Sequence, residues 1–447
     1  MRKHLLNGAI ALSLALSACS LAPQYERPQM TLPGGWSSVA GVGATQQNTI
    51  PFWQELGSAE LDRMIEEMLA QNLDLEAALH RIEQARAQAK IAGAPLYPTV
   101  SASGSALRTY QDSKDTNSVR GGGSISYEID LWGKNRNQAE SADHRVDTSQ
   151  FDREALRLVV TSDATNFYSQ ILSLNDRIRI AEFNLKNAEE ILRIVEARFN
   201  VGSVSGLEVS QQRVAVNGFY SALALLIEAR STAANALAIL LGIAPQNFAA
   251  STAELATLSL PQVNLTPPAT LLTARPDIKG AESGLLAANA DIGVARAEFF
   301  PSLTLGLDSA IAAGFGGPAA AATQIASSLL APIFTGGALT GNLENVTARQ
   351  KELAVQYRQT VLIAFQEVED ALAALKSANE RAVIARASVT ESQNAYDIAK
   401  ARFDAGAIDY LNLLEAQRSL YLAQDSQIAI NQGQLQSFVQ LRKALGS

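Results

Sequence analysis

An internal duplication constrains the fold most, because segments of the first half recur in the second half at an offset of about 203 positions. Such a near-constant offset across three segments is hard to obtain by chance, so the chain is a tandem duplication. Each half holds a helix, two short segments, a very long helix, a turn and a further helix. The aligned segments are residues 72–98 with 275–301, 131–132 with 333–334, and 197–202 with 401–406.

Each half contains two short segments in which apolar and polar residues alternate with the period of two that is typical of β-strands. We predict one strand pair at about 99–132, after Pro98, and a second at about 302–333, after Pro301. The alternation is poor only in the last segment, about residues 323–333. Segments of about ten residues suit tilted strands in an outer membrane, with one face to lipid and one to a lumen. A soluble sandwich with one wet face is the alternative.

Four strands per chain cannot close a barrel, and an open sheet edge in lipid leaves backbone groups unpaired at a cost of several kcal/mol each. Closure therefore needs several copies of the chain, and three copies would supply twelve strands, a workable number. We expect a homotrimer on this ground, with loops near residues 110–123 and 310–322 at the outer tips.

Residues 133–200 and 338–405 form long stretches without proline and with almost no glycine. At 1.5 Å per residue, about 65 residues make a helical rod of roughly 100 Å. The lower part keeps a heptad spacing, seen at Ile178, Ala181 and Leu185 and in their copies, which favours a left-handed coiled coil. A coiled-coil structural lipoprotein would share this feature, but it has no use for paired strands with a lipid-facing side.

The N-terminus has the features of an export signal, since Arg2 and Lys3 precede a short apolar run. The run ends just before Cys19, the only cysteine of the chain, and the pattern resembles the lipobox of bacterial lipoproteins. The resemblance implies that Cys19 becomes the acylated N-terminus and that Ser20 favours the outer membrane. The alternative is a buried thiol, the usual fate of a free cysteine.

Composition argues against several other classes of protein. The net charge is −8 and no basic patch with interleaved aromatic residues occurs, so nucleic acid is not expected as a partner. The three histidines show no metal-ligand spacing, and no Gly-rich phosphate loop or nucleophile arrangement is present, so we expect no enzyme, metal or cofactor. After the signal no run of about twenty apolar residues occurs, so we predict no membrane-spanning helix.

Several strings of the sequence are similar to the TolC family of outer-membrane factors, in its acylated OprM/NodT-type branch. They extend over the whole mature chain and include residues 19–28, 72–75, 127–134, 275–278 and 300–303. The resemblance implies a mostly α-helical protein whose four strands per chain complete a twelve-stranded transmembrane β-barrel in a trimer. It also implies a periplasmic tunnel of long antiparallel coiled-coil helices and a small mixed belt at its equator.

The duplication and the resemblance together predict how the chain is divided. Each repeat should contain a helix, a strand pair, a long helix, a tip turn near residue 202 or 406, and a final helix. The predicted parts are a signal peptide at 1–18, an N-terminal anchor and equatorial segment at 19–60, a first repeat at 61–242, an equatorial linker at 243–270, and a second repeat at 271–447.

The resemblance implies a gate at the periplasmic helix tips. Gly202 and Gly406 suit the tip turns because a reversal between antiparallel helices needs positive φ. Glu208 and Asp409 are the leading candidates for gate contacts, and acidic rings at a pore mouth would favour cations. Phe403 stands where relatives often carry a polar partner, so we expect a partly apolar gate. The other candidates are Arg198, Arg402 and Tyr410. Solvated helix ends without a gating role are the alternative.

The sequence therefore predicts the exit duct of a tripartite efflux system in the outer membrane of a Gram-negative bacterium, extending into the periplasm. As the resemblance implies, its partners are a periplasmic adaptor protein and an inner-membrane pump, of the RND type. The expected cargo is small molecules, with drugs, metal ions and solvents all possible. A duct for type I protein secretion is the alternative within this family.

Overall fold

The structure is a computed structural model that describes residues 20–37, 50–111, 114–262, 265–314 and 318–447. The predicted signal peptide and Cys19 lie outside these residues. The described chain forms two compact units. The sheet unit consists of the described residues of 20–30, 78–152 and 277–360, and the helix unit of those of 31–77, 153–276 and 361–447.

Long helices dominate both halves of the sequence. In the first half they are α1 (Ala59–Gln71), α2 (Leu73–Gly93), α3 (Lys134–Asn200) and α4 (Gly206–Leu240). In the second half a helix of four residues, α5 (Leu271–Ala274), is followed by the long helices α6 (Pro276–Ala297), α7 (Ala338–Asp404) and α8 (Tyr410–Leu445). The strands among the described residues are β1 (Thr99–Gln111), β2 (Lys114–Ile129), β3 (Ser302–Gly314) and β4 (Ala320–Leu330).

The two halves have matching elements, as the internal repeat predicts. α3 and α7 have 67 residues each, and α4 and α8 have 35 and 36 residues. Their sequences contain no proline, which would remove a hydrogen-bond donor and clash with the preceding turn, so the helical ladder continues without a break. The observed ends at Asn200 and Asp404 agree closely with the predicted ends at residues 200 and 405.

The sheet has the strand order β1-β2-β3-β4, and every neighbouring pair is antiparallel. The β1–β2 and β3–β4 pairs lie within one repeat each, whereas the β2–β3 pair joins the two repeats. The register brings Val100, Ile125, Leu307 and Ile325 into one row across the sheet. Directly opposite residues share a face, so this row belongs to a single apolar face, as the alternating pattern predicts.

The opposite face of the sheet, called the polar face below, carries small and polar side chains. The row beside the apolar one contains Ser101, Ser124, Asp308 and Gln324. The hydroxyl oxygens of Ser101 and Ser124 lie 2.7 Å apart and share a hydrogen bond. One apolar and one hydroxyl-rich face are what the wall of a membrane β-barrel requires.

The outer loops predicted near residues 110–123 and 310–322 are wrong for most of their length. The β1–β2 ladder continues to Gln111 opposite Lys114, and the β3–β4 ladder continues to Ala312. Pairing with neighbouring strands outweighs the low strand propensity of the glycine and polar residues in these segments.

Gly122 of β2 is needed for close approach and does not mark a loop. A Cβ atom on Gly122 would lie 2.6 Å from the carbonyl oxygen of Ser309 on β3. The strand also ends earlier than predicted, at Ile129, so Trp132 follows the strand instead of extending it.

The helix unit has a large apolar core to which α1 contributes one face. Leu61, Ile65 and Met68 follow the spacing of a helical stripe and contact a core that includes Tyr168 of α3 and Leu237 of α4. All of these side chains are buried. Burying an apolar side chain of this size stabilises the fold by about 1.5–3 kcal/mol, so the stripe fixes α1 against the long helices.

Two arginines hold the end of α8 within the helix unit. Arg442 forms an ion pair of 3.0 Å with Glu55, and both side chains are buried. Burial lowers the pKa of Arg442, and the Glu55 carboxylate opposes that shift. Arg275 donates a hydrogen bond of 2.9 Å to the carbonyl oxygen of Ala444. Removing one partner of a buried ion pair costs about 3–5 kcal/mol, so this end of the chain is firmly fixed.

The described N-terminal segment lies against α3 and α6 in the sheet unit. The hydroxyl of Ser20 donates to the amide oxygen of Asn137 at 2.8 Å. Arg27 donates two hydrogen bonds of 2.8 Å to the carboxylate of Glu282. The planar guanidinium matches the carboxylate at both oxygens, which fixes direction as well as distance.

The absence of a membrane-spanning helix stays a prediction, because one described helix is long and apolar enough to cross a membrane by length and composition alone. Of the described helices, α4 meets the requirement by length and composition. Scattered polar residues interrupt its apolar runs, but alanine, leucine and valine dominate its average composition. α4 nevertheless packs within the helix unit, since Val209, Phe219 and Leu237 are buried. Its buried Gln212 donates to the carbonyl oxygen of Ala188 on α3 at 2.6 Å.

Candidate functional site

The turn between α3 and α4 depends on a glycine in the left-handed region. Gly202 has φ of +74°. The N–H of Gly202 donates to the carbonyl of Phe199, and the N–H of Ser203 donates to that of Arg198, each at 2.9 Å. These bonds satisfy the last carbonyls of α3 in the way that a glycine-terminated helix usually does.

The turn between α7 and α8 repeats this geometry. Gly406 has φ of +72°, its N–H donates to the carbonyl of Phe403 at 3.0 Å, and the N–H of Ala407 donates to that of Arg402 at 2.8 Å. No heavy atom lies within 4 Å of an ideal Cβ at Gly202 or Gly406. Positive φ, and not crowding, is therefore what requires glycine in both turns.

Each helix that follows a turn begins with a side-chain cap. The N–H of Ser205 donates to the Glu208 carboxylate at 3.0 Å, and the N–H of Leu207 donates to the Ser205 hydroxyl at 3.2 Å. At α8 the Asp409 carboxylate accepts from the N–H of Asn412 at 3.1 Å. The hydrogen bond from the Ser205 side chain lowers the pKa of Glu208. Both acidic gate candidates thus cap helices.

A buried polar contact joins α8 to α4. Tyr410, the first residue of α8, is 4% exposed, and its hydroxyl donates to the side-chain oxygen of Gln212 on α4. Gln212 is fully buried and in turn donates to Ala188 on α3. Burial raises the pKa of Tyr410, so its hydroxyl keeps its proton and remains a donor at physiological pH.

A second contact joins the ends of α3 and α7. The guanidinium of Arg198 lies 4.3 Å from the ring centroid of Phe403, and its Nη2 donates to the Phe403 carbonyl at 3.4 Å. Phe403 is 3% exposed and meets the Tyr410 ring edge to face, with centroids 6.3 Å apart. A cation over an aromatic face contributes about 0.5–2 kcal/mol.

These contacts link the first hairpin (α3 and α4) to the second hairpin (α7 and α8). We call Arg198, Gln212, Phe403 and Tyr410 together the inter-hairpin contact. Its two aromatic members, Phe403 and Tyr410, belong to an apolar cluster to which both hairpins contribute. The buried members of that cluster, besides Phe403 and Tyr410, are Ile191, Val195, Val209, Tyr396, Leu413 and Leu420.

The remaining tip candidates lie apart from the inter-hairpin contact. Arg402 and Asp409 are exposed at the second turn. Asp404, a further acidic residue at this turn, forms an ion pair of 2.9 Å with Lys400 one turn earlier on the same helix. Of the predicted gate residues, the structure therefore brings Arg198, Phe403 and Tyr410 together and leaves the exposed ones separate.

Gln212 is the functional candidate that the sequence reasoning missed. It occupies a position in the buried stripe of α4 between Val209 and Val216. A polar residue in an apolar stripe is the one signal that the sequence offers for it. The partner, Tyr410, is 198 residues away in the chain, so the pairing itself is invisible without the fold.

The prolines that were predicted to start the strands lie where expected. Pro98 and Pro301 directly precede β1 and β3. The indole N–H of Trp132 donates to the carbonyl of Pro301 at 2.8 Å, and the rings of Trp132 and Phe300 have centroids 4.7 Å apart. Aromatic residues at strand ends are typical of the interfacial girdles of membrane barrels.

Comparison with known proteins agrees with this architecture. A family model described as outer membrane efflux protein matches residues 64–243 and again residues 268–447. The chain is 37% identical to the pyoverdine export outer membrane protein OpmQ of Pseudomonas putida, over 98% of this chain and 96% of the relative. It is 32% identical to the toluene efflux pump outer membrane protein TtgC of Pseudomonas putida, over 100% of this chain and 96% of the relative.

A solved structure of an outer-membrane channel has the same fold. The outer-membrane channel OprN superposes with a TM-score of 0.88 at 26% sequence identity, covering 96% of this chain and 99% of that chain. The two ranges that the family model matches also coincide with the internal repeat.

Proposed function

We propose, because this chain belongs to the outer membrane efflux protein family, that its duct closes at the two helical turns around Gly202 and Gly406. Proteins of this family are outer-membrane channels of tripartite efflux systems, and this chain is such a channel, spanning the outer membrane and extending into the periplasm. Its strands and long helices are those of a trimeric channel with a β-barrel and a helical tunnel. We assign the gate to the inter-hairpin contact.

The buried link between Tyr410 and Gln212, beside the contact of Arg198 with Phe403, supports this assignment most directly. Widening the tunnel mouth moves the second hairpin away from the first, which separates both pairs. A neutral hydrogen bond contributes about 1 kcal/mol and the cation–π contact about 0.5–2 kcal/mol, so the closed state gains a few kcal/mol per protomer. A partner that binds the open form more tightly by a similar amount shifts the equilibrium to open.

The test is the conductance of purified trimers in planar lipid bilayers. The double variant Arg198→Gln/Tyr410→Phe loses the cation and the hydroxyl, and Gln212 is left with an unpaired oxygen. A loss of about 2 kcal/mol changes the ratio of open to closed hairpins about thirtyfold, so conductance should rise strongly.

A matched control uses another cation of the same tip. Lys400 forms its ion pair with Asp404 on its own helix, so Lys400→Gln should leave conductance close to the wild-type level. Wild-type conductance in the double variant would remove the gate from this contact while leaving the channel itself intact.

We propose further that Cys19 carries lipid and anchors the mature chain in the outer membrane. Cys19 lies outside the described residues, but the neighbouring Ser20 is bonded to Asn137, and Arg27 to Glu282. These bonds would hold an acylated N-terminus next to the sheet unit. Intact-mass measurement of the wild type should show acyl chains that Cys19→Ser lacks; equal masses after correction for the substitution would refute acylation.

We propose the partners and the cargo of this chain from those of its family. Its trimeric channels work with an adaptor and an inner-membrane pump, and we propose an RND-type pump and a periplasmic adaptor for this chain. The names of two relatives refer to pyoverdine and to toluene, so we propose small organic molecules as cargo. A strain lacking the channel should regain tolerance of such compounds when this chain is expressed; unchanged tolerance with assembled trimers would reject that cargo class.

We also propose that the functional division follows the duplication. The signal peptide is residues 1–18, the anchor and equatorial segment 19–60, the repeats 61–242 and 271–447, and the linker between them 243–270. The family matches at 64–243 and 268–447 support the two repeats.

A further inference from the structure

The polar face of the sheet carries charge at few positions. Among the strand side chains that the structure describes, the charged residues on this face are Arg120 and Glu128 on β2 and Asp308 on β3. Asp308 and Arg120 are both exposed. The other described positions of the face carry mostly Ser, Thr, Gly and Ala, and the larger exceptions are Leu107, Gln324 and Leu330.

The register separates Asp308 from Arg120 along the strands. Asp308 lies directly opposite Ser124, whereas Arg120 lies opposite Ser105. Four residues of β2 separate the two rows, which is about 13 Å at 3.3 Å per residue. This exceeds the Debye length of about 8 Å at physiological ionic strength, so each charge acts on a passing ion separately.

Features of the other face show which side of the sheet meets lipid. The apolar face has exposed Val100 and Ile325 in its central row and, near the outer strand end, Tyr110 with the guanidinium of Arg108 4.9 Å from its ring centroid. Hydroxyl groups on this face satisfy each other, as in the 3.1 Å contact of Ser309 with Thr323. Apolar residues bounded by an aromatic and a cation suit a membrane, so the polar face meets the lumen.

We propose that Asp308 and Arg120 form two successive rings of opposite charge in the barrel lumen and act as specificity-determining residues of the channel. In a trimer each residue occurs three times around the lumen. Cargo that leaves the tunnel passes the ring of Asp308 before the ring of Arg120. A multivalent ion of either sign meets one repelling ring, whereas neutral and zwitterionic molecules pass without a net barrier. This inference rests on the channel fold and not on the gate.

Thiol chemistry measures the local potential at each ring. Ser124→Cys places a thiol opposite Asp308, and Ser105→Cys places one opposite Arg120. Both are introduced into the full-length trimer in lipid vesicles, and the parent protein gives the background of Cys19. A cationic and an anionic methanethiosulfonate of similar size are compared by their reaction rates. The cationic reagent should react faster at position 124 and the anionic one faster at position 105.

Removing each charge gives the size of its effect. At low ionic strength, where screening is weak, a unit charge at about 7 Å in water changes each rate about threefold and the ratio of the two rates about tenfold. Asp308→Asn should therefore lower the cation preference at position 124 about tenfold, and Arg120→Gln should lower the anion preference at position 105 equally. Arg108→Gln is the matched control, because Arg108 lies on the same sheet near Ser105 but on the apolar face; it should change neither ratio.

Several results would overturn the proposal. These are equal reagent preferences at both positions, thiols that do not react in assembled trimers, or an effect of Arg108→Gln as large as that of Arg120→Gln. Reversal potential under a salt gradient provides a second readout for Asp308→Asn and Arg120→Gln without added thiols. Opposite shifts in the two variants are expected, and shifts of the same sign would contradict the rings. Because neither readout requires the tip to move, failure here is distinct from failure of the gate.

Discussion

Asp409 combines a helix cap with a charge at the tip, and two substitutions separate these roles. Asparagine caps helices about as well as aspartate, so Asp409→Asn keeps the cap and removes the charge. Asp409→Ala loses both and costs about 1 kcal/mol at the start of α8, where Tyr410 lies. If the inter-hairpin contact closes the duct, conductance should stay at the wild-type level in Asp409→Asn and rise in Asp409→Ala. Equal increases in the two variants would assign closure to the acidic charge.

Glu208 makes the start of α4 sensitive to acid. The Ser205 hydrogen bond lowers the folded-state pKa of Glu208, so its contribution to stability is present above the unfolded pKa and is lost as pH falls through the folded value. Acidification below the ordinary carboxyl range should reduce the hydrogen-exchange protection of the Ser205 amide, after correction for the intrinsic rate. Glu208→Gln retains a possible capping partner without the charge and should lack this pH dependence; the same pH dependence in that variant would show another group to be responsible.

Gly406 and Gly218 have opposite conformational requirements and give a matched pair. Neither has a heavy atom within 4 Å of an ideal Cβ, but Gly406 has positive φ whereas Gly218 lies inside α4. Gly406→Ala should destabilise the folded protein by about 1–2 kcal/mol, because alanine is strained in the left-handed region. Gly218→Ala should stabilise the folded protein by about 0.5–1 kcal/mol, because alanine has the higher helix propensity. The temperature at which the trimer loses its helical signal measures both. Equal and small shifts would show that the turn does not depend on glycine.

At the scale of elements, the barrel sheet provides a similar pair. A Cβ on Gly122 would meet the carbonyl of Ser309 at 2.6 Å, whereas one on Gly121 would meet nothing within 4 Å. Gly122→Ala must therefore push β2 away from β3. Because the β2–β3 pair joins the two repeats, this variant should reduce the amount of trimer assembled in the membrane. Gly121→Ala should assemble normally. The amount of heat-resistant trimer on a denaturing gel is the measurement, and equal losses would argue against the close approach.

Helices and strands differ in how far the sequence predicted them. The ends of α3 and α7 were found almost to the residue because proline and glycine mark them locally. β2 was predicted to start ten residues late, at about 124 instead of Lys114, because Gly121 to Gly123 resemble a loop. Pairing with β1 on one side and β3 on the other makes this segment a strand, and such long-range pairing leaves no local signal.

At the scale of the whole molecule, the family and the channel function were predictable, whereas the residues that link the hairpins were only partly so. The predicted duct is confirmed by the family match over both repeats. Arg198, Phe403 and Tyr410 were predicted as gate residues because they lie next to the glycine turns in the sequence. Gln212 was missed because its partner lies in the other repeat. Glu208 and Asp409 were predicted as gate residues because of their charge. Their hydrogen bonds to the helix N-termini could be identified only from the backbone structure.

The central claim is that opening separates the two hairpins of a protomer at the inter-hairpin contact. Leu207 and Leu411 are exposed residues near the two turns. Spin labels on Leu207→Cys/Leu411→Cys report the distance between the hairpins by pulsed electron resonance, with labelled protomers diluted among unlabelled ones so that distances within one protomer dominate. The parent chain controls for label at Cys19.

This distance should lengthen when Arg198→Gln/Tyr410→Phe is added and stay unchanged with Lys400→Gln. Conductance that rises in the double variant while the distance stays at its wild-type value would contradict the account, because the duct would then open without the hairpins moving apart.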